Sequence, residues 1–340
     1  MRYLAYFSLS LFLLANTQNA SASCLLFNQN ERLSNYCLLE TLKGKVVDQD
    51  TVNLVTDRLK QEGYLGGLEK PTWSTQIFPT LDYSRNINGG NPDKALVISG
   101  LEFQSDPELL RQEGVITSVR LTTTNRTTFG AGKYLSSNVS TAYSYSPEHQ
   151  NGYTDFNLHT CYKNQIFQTN FLDVCASGRF QKKEFSDDNS KSLSLHLSDL
   201  NYDDYFGTSQ SRLGIIHFSN LSYSQNQIEF SWDLISKEKY FVSTSARLGD
   251  PVENETALKY GLGINFSRIL KNRKYNFSLV HEVGDGGELL GVARRDSTNK
   301  VTVQSSLNSN VIITAAYTAA NSTIDYYDES YPTIYLTFNW

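Results

Sequence analysis

Apolar and polar residues alternate along the chain from Trp73 onward. In "ETALKYGLGINFS" (255–267) every second residue from Leu258 to Phe266 is apolar, and "QIEFSWDL" (227–234) follows the same rule. A period of two is typical of a β-strand with one apolar and one polar face. Noisier runs of this kind occur at 74–84, 94–104, 114–125, 133–146, 152–163, 170–182, 191–200, 211–223, 239–248, 274–283, 310–320 and 331–340. The region 73–340 is therefore predicted to be all-β.

Charges on the polar strand faces decide between two architectures. In a soluble sandwich the apolar faces meet inside, whereas in a membrane barrel they face lipid around a polar lumen. A packed core would have to pair these charges one by one, which is costly. We therefore predict an antiparallel transmembrane β-barrel. Its candidate lumen-lining residues are Arg120, Glu229, Asp233, Arg247, Lys259, Glu282 and Lys300.

The lumen charges have two interpretations, and the sequence leaves both open. Opposite charges set across a narrow pore create a transverse field that sorts solutes. Charges on adjacent strands can instead form cross-strand ion pairs that only stiffen the wall. Glu229 and Arg247 belong to consecutive strands, which favours the second interpretation.

The strand number follows from parity and direction. Bacterial single-chain barrels have an even number of strands, with short turns on the periplasmic side and longer loops outside. Counting back from a periplasmic C-terminus puts "SKEK" (236–239) and "KNRK" (271–274) inside, and 250–255 and 284–297 outside. The run at 74–84 would then start outside, which conflicts with a periplasmic N-terminus. One predicted strand is therefore false, or one strand is missing from the count. We predict 14 strands, with 16 as the alternative.

The first residues predict export. Arg2 precedes an apolar stretch at 4–15, and Ala20-Ser21-Ala22 forms a small-residue cleavage site, so residues 1–22 resemble a secretory signal. Acylation of Cys24 is a less favoured alternative, because the third residue before it is serine where a lipobox usually carries leucine.

Between the signal and the strands lies a segment of different character. "VDQDTVNLVTDRLKQEGYLGG" (47–67) carries apolar residues at helical spacing and ends in glycines. We predict that 23–72 contains a helix and lies in the periplasm or plugs the mouth of the barrel at 73–340.

Composition and cysteine usage narrow the function. The formal net charge is −5 with no basic patch, so nothing favours nucleic-acid binding. An exported chain with four cysteines predicts two disulfides, and the local pairs Cys24–Cys37 and Cys161–Cys175 are preferred among three possible pairings. Neither pair has CxxC spacing, so no metal site is expected.

No enzyme motif or cofactor site stands out. "HLSD" (196–199) puts His196 and Ser198 on one strand face, as a lipid-modifying barrel enzyme would need. Period-two spacing produces such pairs by chance in a Ser-rich chain. We therefore predict a non-enzyme without a cofactor.

The last ten residues, "YPTIYLTFNW" (331–340), are apolar at Ile334, Leu336, Phe338 and Trp340. This run resembles the terminal strand of Gram-negative outer-membrane proteins, which finish on an aromatic residue. The resemblance implies recognition by the barrel-assembly machinery and an integral location in outer-membrane lipid. The N-terminal segment and the C-terminus would then lie on the periplasmic side.

A second resemblance rests on "PTLDYSRNINGGNP" (79–92), in which Arg85, Asn86, Ile87 and Asn88 follow the first strand. The motif is similar to the start of the barrel in the surface lipoprotein assembly modifier family. That resemblance implies a 14-stranded barrel that helps exported client proteins reach the cell surface. The segment 23–72 is too short for the helical repeat domain of that family.

Three functions follow from these patterns. The first is a non-catalytic channel that passes small hydrophilic solutes through a polar lumen. The alternatives are a barrel accessory for export of surface proteins, and a structural or adhesive surface protein.

Overall fold

The computed structural model describes residues 24, 30–43, 49–61, 71–92, 95–98, 100–271, 273–308 and 310–338. The predicted signal at 1–22 and the terminal Trp340 lie outside this part of the chain. Two helices precede the strands, α1 (Glu31–Leu42) and α2 (Gln49–Gln61). Asn30 caps α1, because its side-chain oxygen accepts a hydrogen bond from the Leu33 backbone N–H. No helix in the described ranges is long and apolar enough to cross a bilayer.

Fourteen strands close into an antiparallel barrel. Neighbours along the chain pair with each other, and the first strand closes the barrel against the last. The barrel strands are β1 (Thr72–Ser84), β4 (Gly114–Gly130), β5 (Lys133–Ser146), β6 (Asn151–Gln165), β7 (Asn170–Lys182), β8 (Asp187–Asp203), β9 (Gly207–Asn220), β10 (Ser224–Ser236), β11 (Tyr240–Gly249), β12 (Ala257–Leu270), β13 (Arg273–Leu289), β14 (Val292–Ser306), β15 (Val311–Ser322) and β16 (Glu329–Phe338).

The remaining two strands correct one prediction and explain the parity problem. The run at 94–104 forms β2 (Leu96–Ile98) and β3 (Leu101–Phe103), which pair only with each other. This hairpin lies in the connection 85–113 between β1 and β4. The predicted strand at 94–104 is therefore wrong, and its removal leaves the predicted 14 strands.

The predicted outer connection at 284–297 does contain the turn between β13 and β14, but the turn is much shorter than predicted. β13 and β14 extend through it and meet at Leu290 and Gly291. Both residues have positive φ angles, 49° and 82°, as a two-residue turn with right-handed strand twist requires. The glycines at 284–287 mark a register shift within the strand rather than a loop.

The two faces of the wall differ as the alternation predicts. On β8, Leu193, Leu195 and Leu197 point outward and are 57%, 46% and 55% exposed. The residues between them, Ser194 and His196, point inward and are buried. The exterior therefore carries large apolar side chains, and the interior is polar.

The barrel has two unlike ends. At the terminal end, where β1 begins and β16 ends, short turns such as 131–132 and 237–239 join the strands. At the loop end the connections include 85–113, 250–256 and 323–328. An apolar cluster fills part of the terminal end and joins the helices to the inner wall. Its members are Cys24, Leu33, Cys37, Leu38, Val55, Leu59, Phe171, Leu200, Ile235 and Phe241.

Candidate functional site

Helix α1 begins inside the lumen at the terminal end. The Asn30 Nδ2 donates to Gln210 Oε1 of β9 at 2.5 Å and to Asp233 Oδ2 of β10 at 2.6 Å. All three side chains are buried. The amide that starts the helix thus fixes it to two adjacent strands.

Two ion pairs tie the same end of α1 to other strands. The Arg32 guanidinium donates to both carboxylate oxygens of Asp173 on β7, at 2.7 and 3.1 Å. On the other side, Glu31 accepts from Arg126 of β4 at 2.5 Å. Residues 30–32 therefore contact strands from β4 round to β10, which is about half of the barrel circumference in strand order.

Phe171 and the helix disulfide strengthen this docking. The Arg32 guanidinium carbon lies 4.0 Å from the centroid of the Phe171 ring, a cation–π contact. Cys24 and Cys37 form a disulfide, and the Ser34 hydroxyl donates to the Cys24 carbonyl oxygen. Cys24 is thereby held against the helix.

At the loop end, Ile87 is fully buried, whereas the preceding Arg85 and Asn86 are half-buried. Asn88 is fully buried, and its side chain donates to the Leu110 carbonyl at 2.8 Å. Its Oδ1 accepts from the backbone N–H groups of Gly90 and Gln112 at 3.1 and 2.9 Å. This amide and the backbone hydrogen bonds Ile87–Gln112 and Arg111–Asn91 hold the two ends of the 85–113 connection together.

The same connection reaches the β7–β8 turn. The Lys183 ammonium donates to the Asn86 carbonyl oxygen at 2.7 Å, and the Phe185 backbone N–H donates to the Asn88 carbonyl at 2.8 Å. Burial lowers the pKa of Lys183, and the nearby Arg179 guanidinium lowers it further. Because β7 and β8 are several strands away from β1, the connection extends over part of the mouth.

Between these two ends lies a cavity of about 690 Å³. Charged and aromatic side chains from β1, β4, β6, β7, β14 and β16 line it. The charged ones are Asp82, Arg120, Asp155, Arg179 and Lys300. Arg179 pairs with Asp155 at 3.2 Å, whereas Arg120 and Lys300 have no carboxylate within 4.0 Å among the described residues. The cavity therefore has a small excess of positive charge.

The other predicted lumen residues take four different positions. Glu229 and Arg247 are register partners on β10 and β11 and form an ion pair of 3.3 Å along the wall. Lys259 pairs with Asp285 at 2.7 Å near the loop end. Glu282 lies opposite Gly261 in the register of β12 and β13. Asp233, as described above, binds the start of α1.

The wall contains the second disulfide. Cys161 and Cys175 are register partners on β6 and β7 and point into the lumen. His159 and both sulfurs form the one His/Cys cluster found within the described ranges, but both thiols are engaged in the disulfide. His196 and Ser198 do face the same side. Ser198 accepts a hydrogen bond from Arg32, at 3.4 Å.

Sequence reasoning missed the residues that dock α1. Asn30, Glu31 and Arg32 precede the first strong helical pattern, and their partners Arg126 and Asp173 lie about 100 residues and more away in sequence. The only available signal was the capping asparagine before a charged first turn. These helix–wall contacts form only once the barrel is closed, so the spacing of residues in the sequence could not predict them.

Comparisons with known proteins show only distant likenesses. No family model matches the sequence, and no curated protein matches it. The resemblance of residues 85–88 to the assembly modifier family is therefore not shown and stays a prediction.

Several solved structures are similar to the barrel. The KdgM porin in complex with disordered oligogalacturonate is 11% identical with a TM-score of 0.32, covering 78% of this chain and 99% of that one. The outer membrane channel DcaP of Acinetobacter baumannii is 11% identical with a TM-score of 0.42, covering 81% and 99%. Pseudomonas putida OprB at high pH is 8% identical with a TM-score of 0.43, covering 86% and 97%. At these values no solute or partner is transferred to this chain.

Proposed function

We propose that the protein is an integral outer-membrane channel for small hydrophilic solutes. The observation that supports this is the closed barrel with an apolar exterior and a polar interior that encloses a cavity of about 690 Å³. In lipid every backbone polar group must be satisfied internally, and closure does this for strands. An exterior row such as Leu193, Leu195 and Leu197 suits hydrocarbon and is unsuited to water.

The terminal end lies in the periplasm in this proposal. Short turns are typical of the periplasmic side of such barrels and longer connections of the outer side. Residues 1–22 would direct export, and Ile334, Leu336 and Phe338 with the terminal Trp340 would present the strand to the assembly machinery. Residues 23–72 act as a plug, because Asn30, Glu31 and Arg32 bind inner-wall residues of five strands.

The solute is hydrophilic and the channel weakly prefers anions. Arg120, Arg179 and Lys300 face Asp82 and Asp155 in the cavity, which leaves one positive charge in excess. A ring of cations in a narrow pore lowers the free energy of an anion there. The barrel performs no catalysis and needs no metal or cofactor in this function.

Single-channel recording in planar bilayers tests the proposal. We expect discrete steps with a modest anion preference from the full chain. Lys300→Glu should shift the reversal potential toward cation preference, because it exchanges a lumen cation for an anion. Val301→Thr is the control, since Val301 is the next residue on the same strand and faces the exterior with its register partner Tyr317.

Two results would contradict the proposal. One is a purified, folded barrel that gives no steps in any variant, including those that loosen α1. The other is a reversal potential that Lys300→Glu and Val301→Thr leave equally unchanged, since the current would then not pass the cavity.

A further inference from the structure

The seam between β1 and β16 is the shortest strand pairing among the described residues of the barrel. It has the partners Thr80–Thr337 and Leu81–Leu336 only. In contrast, β10 and β11 pair continuously from Gln227–Gly249 to Ile235–Phe241. Within the described residues, these two partner pairs are the strand pairing that closes the barrel.

The two seam strands separate toward the loop end. If the register continued, Asp82, Tyr83 and Ser84 would face Tyr335, Ile334 and Thr333. These residues of β1 instead pair only with β4, and those of β16 pair only with β15. The strand pairing of the seam therefore stops on the loop-end side of Leu81, and this unpaired stretch is called the gap here. Beyond it, the Arg85 Nε lies 3.9 Å from Glu329 Oε1 of β16.

The prolines of the chain mark the same two strands. Of the seven prolines in the sequence, the two that lie inside strands are Pro79 of β1 and Pro332 of β16. Proline lacks the N–H that a strand ladder needs and is found on edge strands. β1 and β16 thus carry the proline that is typical of edge strands, although they are neighbours in the closed barrel.

A cavity lies on each side of this gap. The outer one has a volume of about 370 Å³ and is lined by Tyr83, Arg85, Glu113, Tyr331, Pro332 and Ile334. The inner one is the lumen cavity, which the seam residues Thr80, Asp82, Tyr335 and Thr337 also line. The gap therefore separates an aromatic and aliphatic niche on the outside from a charged space on the inside.

The charges of the two cavities differ. Outside, Arg85 is the cation of the cavity lining, and it lies 3.3 Å from the carboxylate of Glu113, so its charge is matched. Inside, Arg120 and Lys300 have no ion-pair partner in the described ranges, and Asp82 is the one carboxylate of the cavity without a cation partner there. A bound anion would compensate the inner cations.

We propose that the β1–β16 gap binds a single-chain anionic amphiphile of the fatty-carboxylate class. Its carboxylate lies in the lumen at Arg120 and Lys300, and its alkyl chain passes outward between Tyr83 and Ile334 into lipid. The carboxylate gains charge-assisted hydrogen bonds, and the chain stays out of water. The proposal uses the same lumen cavity and the same two cations, Arg120 and Lys300, as the channel function, but its test reads labelling and not conductance.

Photo-crosslinking of the full chain in phosphatidylcholine nanodiscs tests this site. The probe is dodecanoate with a diazirine in its alkyl chain, and peptide mass mapping locates the adducts. We expect saturable labelling of 82–85 and 331–335, with competition by dodecanoate and dodecyl phosphate but not by dodecyltrimethylammonium. Arg120→Gln/Lys300→Gln should raise the half-saturating probe concentration about tenfold.

A disulfide across the gap provides a second measurement. Asp82→Cys/Tyr335→Cys joins inward positions that would face each other in a closed seam, and its oxidation should abolish the labelling. Ser177→Cys/Ser192→Cys is the matched control, because these residues are inward register partners on β7 and β8 whose hydroxyls lie 2.7 Å apart.

The proposal is overturned if adducts spread evenly around the exterior, or if the cationic competitor displaces the probe as well as dodecanoate does. Equal labelling of the oxidised seam variant and its control would also overturn it. If the seam disulfide does not form, unchanged half-saturation in the Arg120→Gln/Lys300→Gln variant decides against the proposal. A barrel that conducts no ions but labels at the gap would contradict the channel function alone.

Discussion

The two ends of the lumen are covered by segments that are held in different ways. At the terminal end, α1 is held by side chains that leave water, and Arg32 and Asp173 are only 6% and 7% exposed. At the loop end, the connection 85–113 is held largely by backbone groups and by the amide of Asn88. One cover rests on ion pairs and the other on local hydrogen bonds.

Because of this difference, α1 can leave the lumen, whereas the connection 85–113 cannot. A buried ion pair gains little net free energy over desolvation, but losing one partner leaves an uncompensated charge and is strongly destabilising. The connection 85–113 is continuous with β1 and β4 at both ends, so it can rearrange but not depart. We therefore expect the terminal end to gate the channel and the loop end to set its fixed width.

Arg32→Gln should produce the largest effect. Removing one partner of a buried ion pair costs about 3 to 5 kcal/mol. Lys163 is the register partner of Asp173, and its positive charge compensates part of the unpaired carboxylate. We therefore expect the free energy of helix docking to become less favourable by about 2 kcal/mol. The ratio of open to closed dwell times should rise about thirtyfold.

Arg247→Gln is the control for that measurement. It also removes a lumen guanidinium from an ion pair, but its partner Glu229 belongs to the wall and not to the helix. The open fraction should stay near the wild-type value. Equal opening in the two variants would contradict a gate formed by α1.

Removal of the helix disulfide should have the next largest effect. Cys24→Ser/Cys37→Ser frees the residues before α1, and closing a loop of this size is worth about 2 to 4 kcal/mol in unfolding. Only part of that acts on docking, so we expect about a tenfold rise in the open-to-closed ratio. Cys161→Ser/Cys175→Ser is the control, because hydrogen bonds of β6 and β7 already hold those residues together. A larger rise of the open-to-closed ratio in this control would show that the wall, and not α1, gates the channel.

Asn88→Ala should loosen the loop-end cover by a smaller amount. It leaves the N–H groups of the half-buried Gly90 and Gln112 without an acceptor. The cost is about 1 to 3 kcal/mol for each fully buried group, and we expect about 1 to 2 kcal/mol for the two together because water reaches them in part. Limited proteolysis should then cut within 85–113 about tenfold faster, with conductance steps unchanged in number. Asn86→Ala is the matched control, since it loses one hydrogen bond, to the Gly90 carbonyl. Equal cleavage of the two variants would contradict the central role of Asn88.

The wall of this molecule was predictable because alternation is a local signal. The period of two along β8 or β12 reports which side chains share a face, and neighbouring strands follow each other in the chain. Even the strand number could be reached from parity. The errors fell where alternation does not identify a partner: the hairpin at 94–104 alternates but pairs only with itself. The glycines at 284–287 read as a loop but accommodate a bulge.

The contents of the lumen were not predictable for a related reason. Arg32 and Asp173 are 141 residues apart, and no periodic pattern connects a helix turn with a strand face. Likewise the seam gap arises from the register of two strands at opposite ends of the barrel sequence. Only its prolines, Pro79 and Pro332, gave a local sign.

Arg111→Gln should have the smallest effect of the series. Arg111 and Glu329 form an ion pair of 2.7 Å at the loop end, and their side chains are 17% and 33% exposed. Partly exposed pairs contribute about 0.2 to 1 kcal/mol, and salt screens them. Cleavage within 85–113 should therefore rise less than about threefold at low salt, with no difference from wild type at high salt. A response as large as that of Asn88→Ala would show that charge, not the buried amide, holds the loop-end cover, and the contrast between the two ends would disappear.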